Sequence, residues 1–256
     1  MADYVDIHSH VLYGLDDGAE TLEDSLAMLE IARTTGTSDI VCTPHANSRY
    51  RFDPDIIEQR IAELAKRTDV RIHRGCDFHL HVSNIQDALT HPQKYTIDHG
   101  NYLLVELPES TVFSSTDQIL LRLLDRGMVP IITHPERNAQ LQRQLEDLAK
   151  WVELGCYVQI TAASVTGLFG KRAKTCALDL VKLGLAHFVA SDAHDPEIRT
   201  PNLHEAYISL ADVWGENRIR PMFVDNPRAV LAGDTIESDL QVGPVKNRKW
   251  YQFWAL

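Results

Sequence analysis

Histidines, aspartates and a glutamate recur at the ends of short apolar runs along this chain. His8 and His10 close the first run, His45 follows the second and Asp77 the third. Glu106 lies near the end of the fourth, His134 follows the fifth, and Asp192 and His194 follow the seventh. Singly, such a residue is more often a cap or a satisfied polar group than a ligand. Eight of them at matching places in six of seven runs exceed what capping explains. His8 and His10 are two apart, so on an extended strand they point the same way and can grip one ion. Imidazoles with carboxylates and no thiolate suit manganese, iron or zinc, not a structural zinc cluster. The set is too large for one ion, so bridging carboxylates and two or three divalent ions are expected. Paired ions clamp a phosphoryl group and supply a nucleophile from water near neutral pH. Asp16 and Asp17, in Gly14-Leu15-Asp16-Asp17-Gly18, are further candidates, although Asp-Gly is also a turn signal.

Two arginines extend the pattern. Arg137 lies three residues after His134, and Arg199 five after His194. A guanidinium fork matches a phosphate dianion, which favours a phosphate ester over a neutral amide as substrate. The expected catalytic set is Arg137 and Arg199, stabilising charge on the equatorial oxygens, with Asp192 and His194 beside them. His194 or a water supplies the proton to the leaving group. Phosphatase chemistry through a cysteine needs C-x5-R spacing, and none of Cys42, Cys76, Cys156 and Cys176 has it; Arg49 comes seven residues after Cys42. No pair has C-x-x-C spacing, and buried free thiols in a reducing cytoplasm are expected.

The elements that must position these residues alternate. Strands are expected at Tyr4–His8, Asp39–Thr43, Val70–Arg74, Tyr102–Leu107, Val129–Thr133, Tyr157–Thr161 and His187–Ala190. Helices are expected at Leu22–Thr34 with Thr21 as N-cap, and at Pro54–Arg67 with Asp53 as N-cap. Further helices are expected at Asn84–Thr90, Thr116–Arg126 ended by Gly127, Leu141–Glu153, Ala173–Leu183, Leu203–Val213 and Arg228–Leu231. Alternating strands and helices imply an α/β fold with a parallel sheet, either a closed barrel or a long doubly wound sheet. In a parallel barrel all strand C-termini face one mouth, where active sites are built.

The chain has 256 residues and a formal net charge of −11. That length suits one domain of residues 1–256, and neither a repeat nor a linker divides it. The acidic balance argues against a broad nucleic-acid surface, which needs Lys and Arg to displace counterions. The N-terminus lacks a basic then apolar leader, and no apolar run is long enough to cross a bilayer, so a cytoplasmic protein is expected. Residues 240–256 read as a tail. Within it, Lys246 to Trp254 is basic and aromatic, a composition suited to packing on the barrel, to a loose end, or to weak contact with an anionic membrane surface.

The motifs His8-Ser9-His10, Asp16-Asp17-Gly18 and Thr43-Pro44-His45 resemble those of the PHP (polymerase and histidinol phosphatase) superfamily. So do Tyr102 to Glu106, His134-Pro135-Glu136-Arg137 and Ser191-Asp192-Ala193-His194. Within it, the chain most resembles the manganese-dependent protein tyrosine phosphatases of bacterial capsule and exopolysaccharide operons. The resemblance covers most of the chain and implies a distorted seven-stranded β/α barrel binding three ions. It implies that His8, His10, Asp77 and Asp192 hold one ion, Asp77, Glu106 and His134 a second, and Asp17, His45 and His194 the third. Arg137 and Arg199 fall at its phosphate-binding arginines. The substrate it implies is a phosphotyrosine protein, a bacterial tyrosine kinase in particular. One departure stands out: where the family usually has Gln-Glu after this glycine, Gly75 is followed by Cys76-Asp77, and Asp is one methylene shorter. Nearby His79 and His81 have no ligand counterpart and are expected to be polar residues of a surface loop. Competing readings are a phosphatase of small phosphomonoesters such as histidinol phosphate, an amidohydrolase, and a non-catalytic metal-binding regulator. Tyr13, Tyr50 and Phe52 are candidates either for stacking on a phenyl ring or for packing.

Overall fold

The computed structural model describes residues 3–108 and 110–236, so the expectations for the 240–256 tail lie outside the described residues. The first elements are β1 (Tyr4–Ser9), α1 (Leu22–Thr34), β2 (Thr37–Cys42), β3 (His45–Ala46), α2 (Pro54–Leu64), β4 (Arg71–Arg74), β5 (Asp77–His79) and α3 (Val82–Thr90). The chain continues with β6 (Tyr102–Glu106), α4 (Thr116–Leu124), β7 (Val129–Thr133), α5 (Leu145–Glu153), β8 (Tyr157–Thr161), α6 (Ala162–Thr166), α7 (Gly170–Lys182) and β9 (Phe188–Ala190). It closes with α8 (His204–Trp214), α9 (Glu216–Arg220) and α10 (Asn226–Ala232).

Local chemistry sets the helix starts. Thr21 and Asp24 form a reciprocal capping box on α1, and the Asp53 carboxylate caps α2 with Pro54 in its first turn. The expected helix from Leu141 begins only at Leu145. The Asn138 side chain accepts from the Gln140 and Leu141 amides, and residues Leu141–Arg143 form a separate 3₁₀ turn.

All strand pairings are parallel. One sheet has the order β1-β2-β4 and the other β3-β5-β6-β7-β8-β9. The short β3 and β5 carry on the lines of β2 and β4 beyond breaks at Pro44 and Gly75. At the second break the chains approach closely: a Cβ on Gly75 would lie 2.8 Å from Val41 Cγ1. At the far edge, β1 meets the segment after β9. Asp192 N donates to His8 O at 2.9 Å and His10 N to Ala193 O at 2.8 Å, which draws the first and last motifs together.

Apart from the partly exposed β4, the strands are largely buried on both faces, as parallel sheets with helical crossovers must be. One face packs with Met28, Leu29, Leu120, Leu148, Trp151 and Leu180 of the helices. The other gathers Val5, Ile7, Tyr102, Leu104, Ile131 and Phe188, with Val230 of α10 packed among them. Period-two alternation then puts Glu106 in phase with Tyr102 and Leu104. β1 departs from phase: its ladder shifts register between Asp6 and Ser9. Beyond that irregularity His8 and His10, out of phase with Val5 and Ile7, reach the polar end.

His187, before β9, tests this packing. It is buried, accepts from Val158 N through Nδ1 at 3.2 Å, and meets Tyr157 edge-on at 5.1 Å. Burial pulls its pKa from 6.5 down to about 4. Between those values the unfolded chain binds a proton that the folded chain refuses, so acidification through that window removes stability, up to about 3 kcal/mol. Denaturant unfolding at pH 7 and pH 4.5 should show a smaller loss in His187→Asn, whose amide oxygen can replace Nδ1. An identical loss in both proteins would contradict the assignment.

Candidate metal centre and phosphate seat

The strand ends converge as alternation predicts. His8 Nε2 and His10 Nε2 lie 3.3 Å apart, and both face Asp192 Oδ1, at 3.5 and 3.4 Å. Asp77 Oδ2 is 3.7 Å from His8 Nε2 and 3.0 Å from His45 Nδ1. Glu106 reaches His45 Nδ1 at 3.5 Å and His134 Nε2 at 3.7 Å. Asp17 Oδ1 lies 3.3 Å from His45 Nε2 and 3.7 Å from His194 Nε2. Four overlapping groups have ligand atoms close enough to share an ion: His8–His10–Asp192, His8–Asp77–His134, His10–Asp17–His45–His194 and His45–Asp77–His79–Glu106.

A second set of contacts aims the imidazoles. Gln159 Oε1 accepts from His8 Nδ1 at 2.9 Å, Asp16 from His10 Nδ1 at 2.7 Å, and the Asp192 carbonyl from His194 Nδ1 at 2.9 Å. Each leaves Nε2 turned inward, the usual arrangement around a ligating histidine. The two adjacent aspartates therefore part company. Asp16 orients His10 and accepts from the Gly18 and His45 amides, whereas exposed Asp17 faces the cluster. Gly18 is required here, because a Cβ would lie 2.1 Å from His10 O.

Electrostatics fit a divalent ion. Both oxygens of Asp77 are fully buried without a well-directed hydrogen bond, although His45 Nδ1 lies 3.0 Å from Oδ2, a cost that a bound cation would remove. Burial, reinforced by the Arg137 charge, holds His134 well below the ordinary histidine range. Burial and the His10 charge bring His194 down to about 3. These neutral imidazoles offer lone pairs, so His194 suits a ligand better than the proton donor expected from sequence. Burial and the neighbouring Asp77 charge push Glu106 up to about 7. Asp192 stays well below the carboxylate range: burial opposes this, but His8, His10 and Arg199 outweigh it. His134 and Asp192 both adopt left-handed backbone, with φ of 33° and 51°, a strain of about 1–3 kcal/mol each that functional sites commonly retain.

Arg137 Nη1 and Arg199 Nη2 both donate to Asp192 Oδ2, the latter at 2.6 Å. Phe169, just before α7, packs against both guanidiniums, its ring centre 4.4 Å from Arg137 Cζ and 5.5 Å from Arg199 Cζ. The ring also lines a cavity of about 340 Å³ with Glu106, His134, Arg137 and Asn138. Nothing in the sequence pattern singles out Phe169. Of the aromatic candidates, Tyr50 stacks on His45 at 6.0 Å. Tyr13 bonds Glu63 and Phe52 is buried against Tyr95, so both serve packing. His79 corrects the surface-loop expectation: it lies on β5 with its Nε2 in contact with Glu106 Oε2. His81 is exposed beside Ser83, as expected of a loop residue. All four cysteines are buried.

A parallel α/β fold with imidazoles and carboxylates gathered at its strand ends, beside paired arginines, defines a metal-dependent hydrolase class of site. The chain belongs to the CpsB/CapC family of capsular polysaccharide synthesis, whose pattern matches residues 4–232. It is 33% identical to the tyrosine-protein phosphatase YwqE of Bacillus subtilis, over 98% of this chain and 100% of that one. It is 31% identical to the tyrosine-protein phosphatase CpsB of Streptococcus agalactiae, over 89% of this chain and 98% of that protein. A chain from the crystal structures of YwqE and of CpsB from Streptococcus pneumoniae, metal-dependent tyrosine phosphatases, superposes with a TM-score of 0.88. It is 32% identical and covers 94% of this chain and 99% of its own. Two amidohydrolases at 12% and 13% identity, with TM-scores of 0.51 and 0.53, share the fold alone.

Proposed function

We propose that this chain is a divalent-metal-dependent protein tyrosine phosphatase acting on a phosphotyrosine protein, with a bacterial tyrosine kinase of capsule synthesis as its partner. The single observation that carries the reading is Asp192. Its Oδ1 faces the His8–His10 pair while its Oδ2 holds both arginines, so one carboxylate ties the ion seats to the phosphate seat. The nearly full-length likeness to named tyrosine phosphatases supports it. The staves β1, β2–β3, β4–β5, β6, β7, β8 and β9 read as one distorted seven-stranded barrel in a single domain.

His8, His10, Asp77 and Asp192 would hold one ion, Asp77, Glu106 and His134 a second, and Asp17, His45 and His194 a third. Manganese is the first choice, and iron and zinc also suit these donors. Bound ions supply Lewis acidity and activate water. The chain's own part is positional. Arg137 and Arg199 bind the non-bridging phosphate oxygens, and Phe169 braces both and offers a face to the phenyl ring. Tyrosinate, with an ordinary pKa near 10, leaves with little proton donation, so no side-chain acid is needed. Among the described residues no helix is long and apolar enough to cross a membrane; a cytoplasmic site of action agrees with the substrate class.

Phe169→Ala tests the aromatic half of this reading. An aromatic pair and the lost apolar contact are together worth about 1–2 kcal/mol. KM for a phosphotyrosine peptide should therefore rise about tenfold, with a smaller change for a phosphoserine peptide. An unchanged ratio between the two substrates would remove the ring-stacking role and leave phosphotyrosine selectivity without a structural basis.

A further inference from the structure

Asp77 is one methylene shorter than the glutamate implied at its place, and the residue two further on is a histidine. On β5 those positions share a face. Asp77 is fully buried and neither oxygen takes a well-directed hydrogen bond, although His45 Nδ1 lies 3.0 Å from Oδ2, and Glu106 Oε2 faces the imidazole nitrogens of His79 and His45. His79 Nε2 turns toward these carboxylates: it contacts Glu106 Oε2, and its ring lies 5.2 Å from that of His45. Ligand atoms of His45, Asp77, His79 and Glu106 all lie within 4.8 Å of one another. Asn84 steadies the strand by donating through Nδ2 to His79 O at 3.3 Å, while Asn47 Nδ2 lies 3.4 Å from the inward-turned His79 Nε2.

We propose that His79 is a metal ligand, completing with Asp77 and Glu106 the ion seat at the β5–β6 strand ends. The added imidazole restores the reach that the shorter Asp77 gives up. Pairing with Glu106 alone would account for one contact of His79, but it leaves the buried Asp77 oxygens on the same face without a well-directed partner, which a shared ion would serve. The inference rests on the metal-site reading above and deepens it by naming a ligand.

The test is metal content and affinity of the full chain, read apart from activity. Wild type, His79→Ala and the double variant His79→Ala/Asp77→Glu are stripped with chelator, dialysed against Mn²⁺ and measured for manganese per chain, with Mn²⁺ titration calorimetry alongside. His79→Ala should lose about one ion per chain or bind its weakest ion at least about tenfold less tightly, and the added Asp77→Glu should restore it. Equal content and affinity in wild type and His79→Ala would overturn the proposal. Wild type that binds no manganese would instead overturn the metal-site reading itself. Wild-type crystals soaked in Mn²⁺ give a check independent of variant folding. An anomalous peak about 2.1 Å from His79 Nε2 is expected, and ions present elsewhere in the cluster with none beside His79 would refute the assignment.

Discussion

Asp192→Asn should lower kcat/KM for a phosphotyrosine peptide about a thousandfold while leaving the chain folded. The carboxylate serves two groups of partners. Oδ1 lies 3.4 and 3.5 Å from the Nε2 atoms of His10 and His8, and Oδ2 takes hydrogen bonds from Arg137 and Arg199. An amide keeps the shape but removes the charge and presents an NH₂ to one side. Two partly buried guanidiniums then lose the carboxylate they share, and with it their placement on the substrate phosphate, the kind of loss that costs about 3–4 kcal/mol in the transition state. The same variant should bind fewer divalent ions. Steady-state kinetics and metal analysis on one preparation check both parts. An Asn variant keeping more than about a tenth of wild-type activity would show that Asp192 does not join the two seats.

Removal of divalent ions should abolish turnover and lower thermal stability, whereas alkylation of thiols should do neither. A divalent ion would serve the buried Asp77 oxygens and take lone pairs from the His8 and His10 Nε2 atoms, which lie 3.3 Å apart. An ion present at a thousand times its Kd adds about 4 kcal/mol to the folded state, so chelation should lower Tm by roughly 10 °C. Cys42, Cys76, Cys156 and Cys176 are all buried. Burial pushes the Cys76 thiol well above its ordinary range and Cys156 up to about 12, so none is a ready nucleophile. Differential scanning fluorimetry and activity assays with chelator or iodoacetamide separate the cases. Activity surviving thorough chelation, or lost on alkylation, would exclude the proposed chemistry.

Much of the frame is legible in the amino acids because local signals agree with tertiary ones. α1 runs over its expected Leu22–Thr34, where apolar spacing and the Thr21–Asp24 capping box coincide. β7 and β8 occupy their expected residues, as continuous apolar runs bounded by turn residues do. The short ladders β3 and β5 are not legible: two or three residues carry no period, and their pairing depends on strands distant in sequence. That loss has a chemical consequence. Without β5, nothing shows that Asp77 and His79 share a face, and His79 reads as a loop residue. Phe169 escapes for another reason. An apolar residue before a helix is indistinguishable from core until the two arginines are seen against it. The polar members of the cluster are visible because His, Asp and Glu at strand ends are costly to bury without a purpose.

The most direct test sets a phosphotyrosine peptide, a phosphoserine peptide and histidinol phosphate side by side with the purified full chain, first chelated and then resupplied with Mn²⁺. The account predicts no turnover after chelation and recovery with Mn²⁺ that is greatest on phosphotyrosine. Turnover by the chelated protein, or recovery that favours histidinol phosphate, would contradict it.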